Sequence, residues 1–481
     1  MDSETHKKLH AFFFPVMAQG HLIPMIDIAR LFASRGVKVT ILTTPSNASL
    51  FSNTIDCDAQ LGLDISVQLI PFPSVEAGLP EGCENLSSIT SPSMTNNFFK
   101  ALDLFQLPLE KLLQEQQYPA HCIIAGMFFP WVTDLATKLG IPRFIFCGTS
   151  FFSRCVTDSI KRYAPHQSLK SNSDPFIVPS LPDQIELTRS QVPETKSEFA
   201  ELLERVRKSE ERSHGVLFNS FYELEPAYAD HYKKVIGRKA WDIGPVSLRN
   251  RDFADKAQRG NNTYIDGHEY CLNWLDKKKS NSVLYVCFGS VTRFTASQLV
   301  AIAMALETSG HPFIWVVRSE EREIPEGFEE RNEGKGLIIR DWAPQVLILD
   351  HPAVGGFVTH CGWNSTLESV SAGVPMITWP LFAEQFYNEK LVTQVLRIGV
   401  SVGAHEWSGF VGEGNAAAVK REDIEKAVEQ LMGGGEEAER MSSRATELKE
   451  KARRAVEEGG SSYTNLTNLI EELRLHVRLE A

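Results

Sequence analysis

The 481-residue chain has no apolar run of roughly 18 residues or more, so no segment of it is expected to cross a bilayer as a helix. Basic residues are the minority, 49 Lys and Arg against 61 Asp and Glu for a net charge of -12. That balance argues against nucleic acid and anionic membranes as partners, because both need a basic surface. Cysteine is scarce as well. Eight residues with no CxxC pair exclude a disulfide framework and fit isolated thiols in a reducing compartment. The N-terminal MDSETHKKLHAFFFPV lacks a small-residue cleavage site and its apolar run is too short for a secretory signal, so a cytoplasmic location is expected. The dinucleotide fingerprint GxGxxG is missing too. AQGH follows the first apolar run instead, which disfavours an NAD-dependent oxidoreductase.

What is present is the composition of a folded chain, 43% hydrophobic and 23% charged, at a length that suits two domains of about 200 to 250 residues better than one core. A cleft between two such domains suits a small-molecule substrate. AFFFPV, then MAQGH, then LIPMIDIARLFASRG with Pro24 early and Gly36 just after it, predict strand, loop and helix. VKVTILTTP completes a βαβ unit. HCIIAG, a helix from Trp131 to Leu139 ending at Gly140, and the strand IPRFIF continue an α/β pattern with a largely parallel sheet. Residues 248–268 lose apolar periodicity and gather charge, Asn and Gly, which predicts a linker or mobile loop. Beyond them VLYVCFGS, PFIWVV, GLIIRDW, GGFVTH and PMITWP alternate with helices, the first opening on a capping box of Thr295 and Gln298. The expected fold class is α/β, two facing Rossmann-like doubly wound domains over residues 1–247 and 269–459, with ligands in the cleft at the carboxyl ends of the strands. The charged stretch 436–478, broken at Gly459 and Gly460, predicts a solvated helix pair. Its last helix, about 460–481, is expected to pack back on the first domain.

The sharpest local signal is HCGWNSTLESVSAGVP. A strand ends at His360, a turn passes through Gly362, and Asn364 and Ser365 open a helix, whose free N–H groups and positive dipole end can hold a pyrophosphate. His360 at the strand tip can donate to the same phosphate. An ordinary N-cap at Asn364 or Ser365 is the alternative. Upstream, CFGS offers a second strand end, with Gly289 permitting close backbone approach and Ser290 supplying a hydroxyl.

Residues 342 to 385, from WAPQVLILDHPAVGGFVTHCGWNSTLES to WPLFAEQ, resemble the signature box of plant UDP-glycosyltransferases. The resemblance extends over the chain, GHLIPM included, and is nearest the branch acting on flavonoids, terpenoids and related metabolites. It implies the two-domain GT-B fold and inverting transfer from a UDP-sugar to a hydroxyl of a small apolar acceptor. By the same resemblance Trp342 stacks on uracil, Ala343 pairs with it through its backbone, and Gln345 and Glu368 hold the ribose hydroxyls. His360, Asn364, Ser365 and Ser290 hold the diphosphate, and Trp363, Glu384 and Gln385 contact the sugar, for which a terminal Gln favours glucose. No metal and no cofactor are implied, the UDP-sugar being a co-substrate, and a monomer is expected.

His21 lies in the first strand-to-helix loop, where an open α/β domain presents reactive groups. In the family this His takes the acceptor proton and is paired with an Asp at the end of the strand read here as HCIIAG. This chain has Gly126 there. His121 points to the opposite face of that strand and Asp134 lies well along the next helix, so neither replaces the Asp. Three explanations follow: an acidic, phenolic acceptor; a water or acceptor carboxylate filling the space; or a chain of low activity, at the limit a UDP-sugar-binding protein. Among the aromatic residues Phe12, Phe14, Phe128, Phe129, Phe151 and Phe152, Phe128 is the acceptor-wall candidate and the others are expected mostly in the core. Thr149 is expected near the sugar hydroxyls by family analogy.

Overall fold

The computed structural model describes residues 8–193, 198–260, 266–319, 321, 323–407 and 418–480. The opening apolar run forms β1 (His10–Phe14), buried along its whole length. Ala11 and Phe13 join one apolar cluster and Phe12 and Phe14 another, as the two-residue period of a strand covered on both faces requires. After α1 (Gln19–Ser34) come β2 (Lys38–Thr43), β3 (Ile65–Leu69), β4 (Cys122–Gly126), α2 (Val132–Leu139), β5 (Arg143–Cys147) and α3 (Phe151–Tyr163), then β6 (Gly215–Phe218) and β7 (Ala240–Asp242). The seven strands pair in the order 3-2-1-4-5-6-7, all parallel. Gly140 closes α2 in the left-handed region, at φ 68°, where a side chain would be strained.

The second sheet contains β8 (Val283–Cys287), β9 (Phe313–Val317), β10 (Gly336–Arg340), β11 (Val354–Thr359), β12 (Met376–Thr378) and β13 (Gly399–Ser401). Counted from its own first strand, its order is again 3-2-1-4-5-6, all parallel. Each sheet therefore reverses its winding beside its first strand, between β1 and β4 and between β8 and β11. Such a reversal opens a crevice at the carboxyl ends of the strands, where α/β folds bind ligands. The C-terminal charged stretch is a helix pair, Glu436–Val456 and Ser461–Glu480. Leu466, Leu469, Ile470 and Leu473 of the last helix enter the cluster that holds Ala11 and Phe13 of β1.

Three local expectations are corrected. The first helix starts at Gln19, earlier than read, because Ala18 is extended and its carbonyl accepts the N–H groups of both His21 and Leu22 at 2.8 Å. His21 thus sits in the first helical turn and not in a loop. Residues 248–268 are not a free linker: they contain α4 (Phe253–Gln258), capped by Asp252 on the Asp255 N–H at 2.8 Å. Their charged residues serve as ion-pair partners, a use that removes apolar periodicity without removing order; residues 261–265 lie outside the described residues. The capping box at α5 (Ala296–Thr308) is half formed. Thr295 accepts the Gln298 N–H at 3.3 Å, but the Gln298 amide turns away to bond both backbone groups of Val419. All eight cysteines are free thiols.

Candidate active site

The crevice of the first sheet is built around the start of α1. Ring Nδ1 of His21 is buried and hydrogen-bonds to no described residue. Burial alone lowers the pKa of this imidazole to about 4, so it is neutral at ordinary pH. Gly148, just beyond β5, lies against the ring: a Cβ there would stand 2.7 Å from Nδ1. Only glycine lets the two approach this closely. Phe128 meets His21 edge to face at 5.5 Å between centroids and also contacts Phe99 and Phe199 at 5.3 and 6.1 Å. Thr149, half-buried, follows Gly148 and touches Cys147 Sγ through its hydroxyl at 3.3 Å. Phe12, Phe14, Phe129, Phe151 and Phe152 are fully buried core residues.

Gly126 ends β4 across the crevice, and a Cβ on it would meet Val16 Cγ2 at 2.5 Å. The neighbouring candidates are engaged elsewhere. His121 Nδ1 accepts the His10 N–H at the far end of the strand, and Asp134 is exposed and paired with Arg212 at 2.5 Å. Among the described residues no carboxylate hydrogen-bonds to His21.

The second crevice follows β11. The helix after it, Trp363–Ala372, begins one residue earlier than read, with Gly362 at the N-cap position and no side-chain cap. Neither Asn364 nor Ser365 is therefore an N-cap, and the first N–H groups of the helix keep their outward aim. His360 is held between two glycines: a Cβ on Gly289 would lie 2.8 Å from its ring and one on Gly362 would lie 2.4 Å from Nε2. Its Nδ1 is buried without a hydrogen bond, and burial lowers its pKa to about 4. Ser290 follows Gly289, its carbonyl accepting from Arg318.

Gln345, opening the helix Gln345–Asp350, donates to Ser365 Oγ at 3.1 Å and to Glu368 Oε2 at 2.7 Å. These three residues form one polar wall, and Trp342 and Ala343 precede it in the chain. The indole Nε1 of Trp342 is buried and unpaired, and the Ala343 carbonyl accepts the Gln345 N–H at 2.8 Å. Gln385 Oε1 accepts two backbone N–H groups, from Leu381 and Phe382, at 2.9 and 3.0 Å, which leaves its amide nitrogen for other partners. Beside it, burial raises the Glu384 carboxyl to about 7. Trp363 is a partial correction. Its indole is 2% exposed and donates to the Asn219 carbonyl across the cleft at 2.7 Å, so only its backbone N–H can face a ligand.

A proline brings the two crevices together. Pro24 has no N–H to give the carbonyl four residues back, that of Gly20. The freed Gly20 oxygen instead accepts Asn364 Nδ2 at 2.9 Å, from the other sheet's helix. The helix bearing His21 and the helix following His360 thus meet start to start. Buried polar atoms normally find partners, yet His21 Nδ1, Trp342 Nε1, His360 Nδ1 and Asn364 Oδ1 all lack one in this single cleft. It is a site that presents hydrogen-bonding atoms to a polar ligand.

Residues 268–442 match the family model "UDP-glucoronosyl and UDP-glucosyl transferase". The chain is 56% identical over 474 residues to a scopoletin glucosyltransferase of Nicotiana tabacum, covering 97% of this chain and 98% of that protein. The chain belongs to the plant UDP-glycosyltransferases. It is 55% identical to the UDP-glucose flavonoid 3-O-glucosyltransferase 7 of Fragaria ananassa, over 98% of both chains. The crystal structure of Glycyrrhiza uralensis UGT73P12 with glycyrrhetinic acid 3-O-monoglucuronide superposes with a TM-score of 0.92 at 44% identity, over 98% of this chain and 97% of that one. The enzyme accordingly has the GT-B fold and transfers a glycosyl group from a UDP-sugar. No helix among its described residues is long and apolar enough to cross a membrane. Two contributors to the glycosyltransferase site escaped the sequence reading, Gly148 and Pro24 acting through Gly20, and so did Arg259, which donates to Asp27 of α1 and to Glu368 of the helix Trp363–Ala372. The first carries a weak signal, a glycine directly after a strand; the other two act through contacts between distant segments and leave no local one.

Proposed function

We propose that this glycosyltransferase moves glucose from UDP-glucose, with inversion, to a phenolic hydroxyl of a small, planar, largely apolar acceptor. The observation that carries the acceptor class is His21, whose neutral ring lies beside Phe128 with an unpaired Nδ1. A base with a pKa of about 4 and no carboxylate to stabilise its imidazolium removes a proton poorly. A phenol, with a pKa of about 10, is roughly 6 units more acidic than an alkyl hydroxyl taken as water-like, and so asks less of the base. In the proposed step His21 takes the phenol proton as the oxygen attacks the anomeric carbon, and UDP leaves from the opposite face. Proteins similar to this one are named for scopoletin and for flavonoid and anthocyanin acceptors, all of which bear phenolic hydroxyls.

The donor is assigned to the second crevice. Trp342 stacks on uracil with Ala343 pairing through its backbone, and Gln345 and Glu368 hold the ribose. His360, Asn364, Ser365 and Ser290 meet the diphosphate at the helix N-terminus. Glu384, Gln385, Thr149 and the Trp363 N–H face the sugar. The leaving diphosphate is thus met by protein donors, and the proposal draws on no metal or cofactor. Residues 1–247 with the C-terminal helix form the acceptor half and residues 269–459 the donor half; since one chain supplies both, a monomer suffices. Product mass spectrometry with UDP-glucose and a panel of flavonoids, terpenoid alcohols and carboxylic acids tests the reading. Glucosylated phenols are expected, lost in His21→Ala; alkyl glucosides as the main products would overturn it. The Gly126 position favours one other reading, a donor-binding protein without useful turnover, and UDP release with a phenol excludes it.

A further inference from the structure

Arg259, in the segment joining the two halves, is nearly buried and contacts both of them. Its Nε donates to Asp27 Oδ2 of α1 at 2.8 Å, and its Nη1 donates to Glu368 Oε1 of the donor-side helix. Both carboxylates are themselves buried. Glu368 Oε2 is taken by Gln345 at 2.7 Å and Asp27 Oδ1 by Asn250 at 3.0 Å. Asn250 in turn accepts from Arg30 at 2.8 Å. The result is a continuous polar chain, Arg30, Asn250, Asp27, Arg259, Glu368, Gln345, Ser365, from the helix that carries His21 to the helix that follows His360. The next residue, Gly260, fills the gap between Ile23 and Trp342: a Cβ there would stand 2.5 Å from Ile23 Cδ1 and 2.8 Å from Trp342 Cζ2.

We propose that Arg259 is a positioning residue for the donor nucleotide: it fixes the Glu368 carboxylate for the ribose and ties that carboxylate to the acceptor half through Asp27. The proposal rests on the reading of Glu368 as a ribose ligand. A carboxylate oxygen has lone pairs for more than one donor, so the Arg259 contact and a ribose hydroxyl are compatible on the same group. A guanidinium spans two carboxylates with separate N–H groups in fixed geometry, which a single ammonium does not reproduce. With Arg259 gone, Glu368 is held on one side only, and Asp27 keeps the Asn250 amide as its hydrogen-bond donor with the Arg30 and Arg249 charges nearby.

The test is calorimetric UDP binding, with the kcat and KM of UDP-glucose transfer, in Arg259→Ala, Arg259→Lys and Glu368→Gln. Arg259→Ala is expected to weaken UDP binding and raise the UDP-glucose KM about tenfold, the loss expected of one charge-assisted hydrogen bond, while kcat and the acceptor KM change less than about threefold. Arg259→Lys should recover part of the affinity, and it supplies the measurement if the Ala variant does not fold. Unchanged UDP affinity in Glu368→Gln overturns the ribose reading and the proposal with it. Weakened binding in Glu368→Gln beside unchanged binding in both Arg259 variants overturns the proposal alone. Tighter UDP binding in Arg259→Ala also overturns it, and would show the segment to be an obstacle to the nucleotide.

Discussion

Placing Asp at position 126 tests whether a missing carboxylate limits this enzyme. A Cβ at 126 lies 2.5 Å from Val16 Cγ2 and 3.2 Å from the Val16 nitrogen, so Gly126→Asp alone forces Val16 to turn. Adding Val16→Ala removes the colliding methyl and leaves the nitrogen at a tight but tolerable distance. The double variant tests whether a carboxylate at 126 engages the buried, unpaired Nδ1 of His21. An adjacent negative charge raises an imidazole pKa by about 1 to 3 units. The present value of about 4 means the neutral base persists down to that pH, and at saturating UDP-glucose the acid limb of the acceptor kcat/KM should lie there. Raising the pKa protonates the base earlier as pH falls, so the limb should move up to roughly pH 5 to 7. The gain above the limb is bounded by about 10⁴, the loss when the Asp role is removed from a Ser-His-Asp triad. We expect about 10 to 10³-fold on an alkyl alcohol and under about tenfold on a phenol, which needs less help from the base. Initial rates of UDP release from about pH 4 to 9 measure both effects, with Val16→Ala as control. No gain on either acceptor class together with an unmoved acid limb would refute the reasoning.

His21→Ala should cut kcat by about 10² to 10⁴ while leaving the UDP dissociation constant unchanged, since it removes a proton acceptor and no donor contact; rates and calorimetry separate the two. Pro24→Ala restores an N–H that competes for the Gly20 carbonyl now bonded to Asn364, so UDP binding should weaken a few-fold, roughly the worth of one hydrogen bond; an unchanged dissociation constant would count against the contact. Glu384, raised to about 7 by burial, gains its charge as pH rises through neutrality. The affinity of UDP-glucose relative to UDP should therefore rise over the same interval if the carboxylate accepts sugar hydroxyls, and Glu384→Gln should flatten the profile. Its stability term has the opposite sign: a carboxyl with a raised folded pKa contributes fully below its unfolded value near 4.5 and loses that contribution as pH passes about 7.

Much of the fold was written locally. β1 shows the reason: five consecutive buried residues need an apolar run, and a parallel strand covered on both faces has no polar alternation to confuse with a surface strand. Gly140 marked the end of α2 because a left-handed residue there leaves few choices. Helix starts were less legible. Ala18 and Gly362 precede their helices without any capping side chain, and both helices begin earlier than a search for caps suggests. Both are also the helices that bring their first turns into the cleft, where a side-chain cap would occupy the N–H groups left for a ligand. The charged stretch at 248–268 read as loose because the sequence displays charge but not its partners. Asp255 and Arg259 find theirs in Arg30, Asp27 and Glu368, more than 100 residues away along the chain.

The signature from Trp342 to Gln385 pointed to the donor class through its resemblance to plant UDP-glycosyltransferases, and the fold gathers its Gln345, Ser365 and Glu368 into one polar wall. The same resemblance exposed Gly126, because it implies an Asp at the end of HCIIAG where this chain has glycine. Only the tertiary structure decided what that absence means. It shows His21 pressed between Gly148 and Phe128 with Nδ1 unpaired, and Val16 standing where an Asp Cβ would go. It likewise decided how the halves meet, through a carbonyl that Pro24 leaves free and an arginine that answers two buried carboxylates. The physical reason is the range of the interactions. Strand burial, turns and helix ends are settled within a few residues, whereas a buried hydrogen bond or ion pair exists only once segments hundreds of residues apart have been brought to about 3 Å.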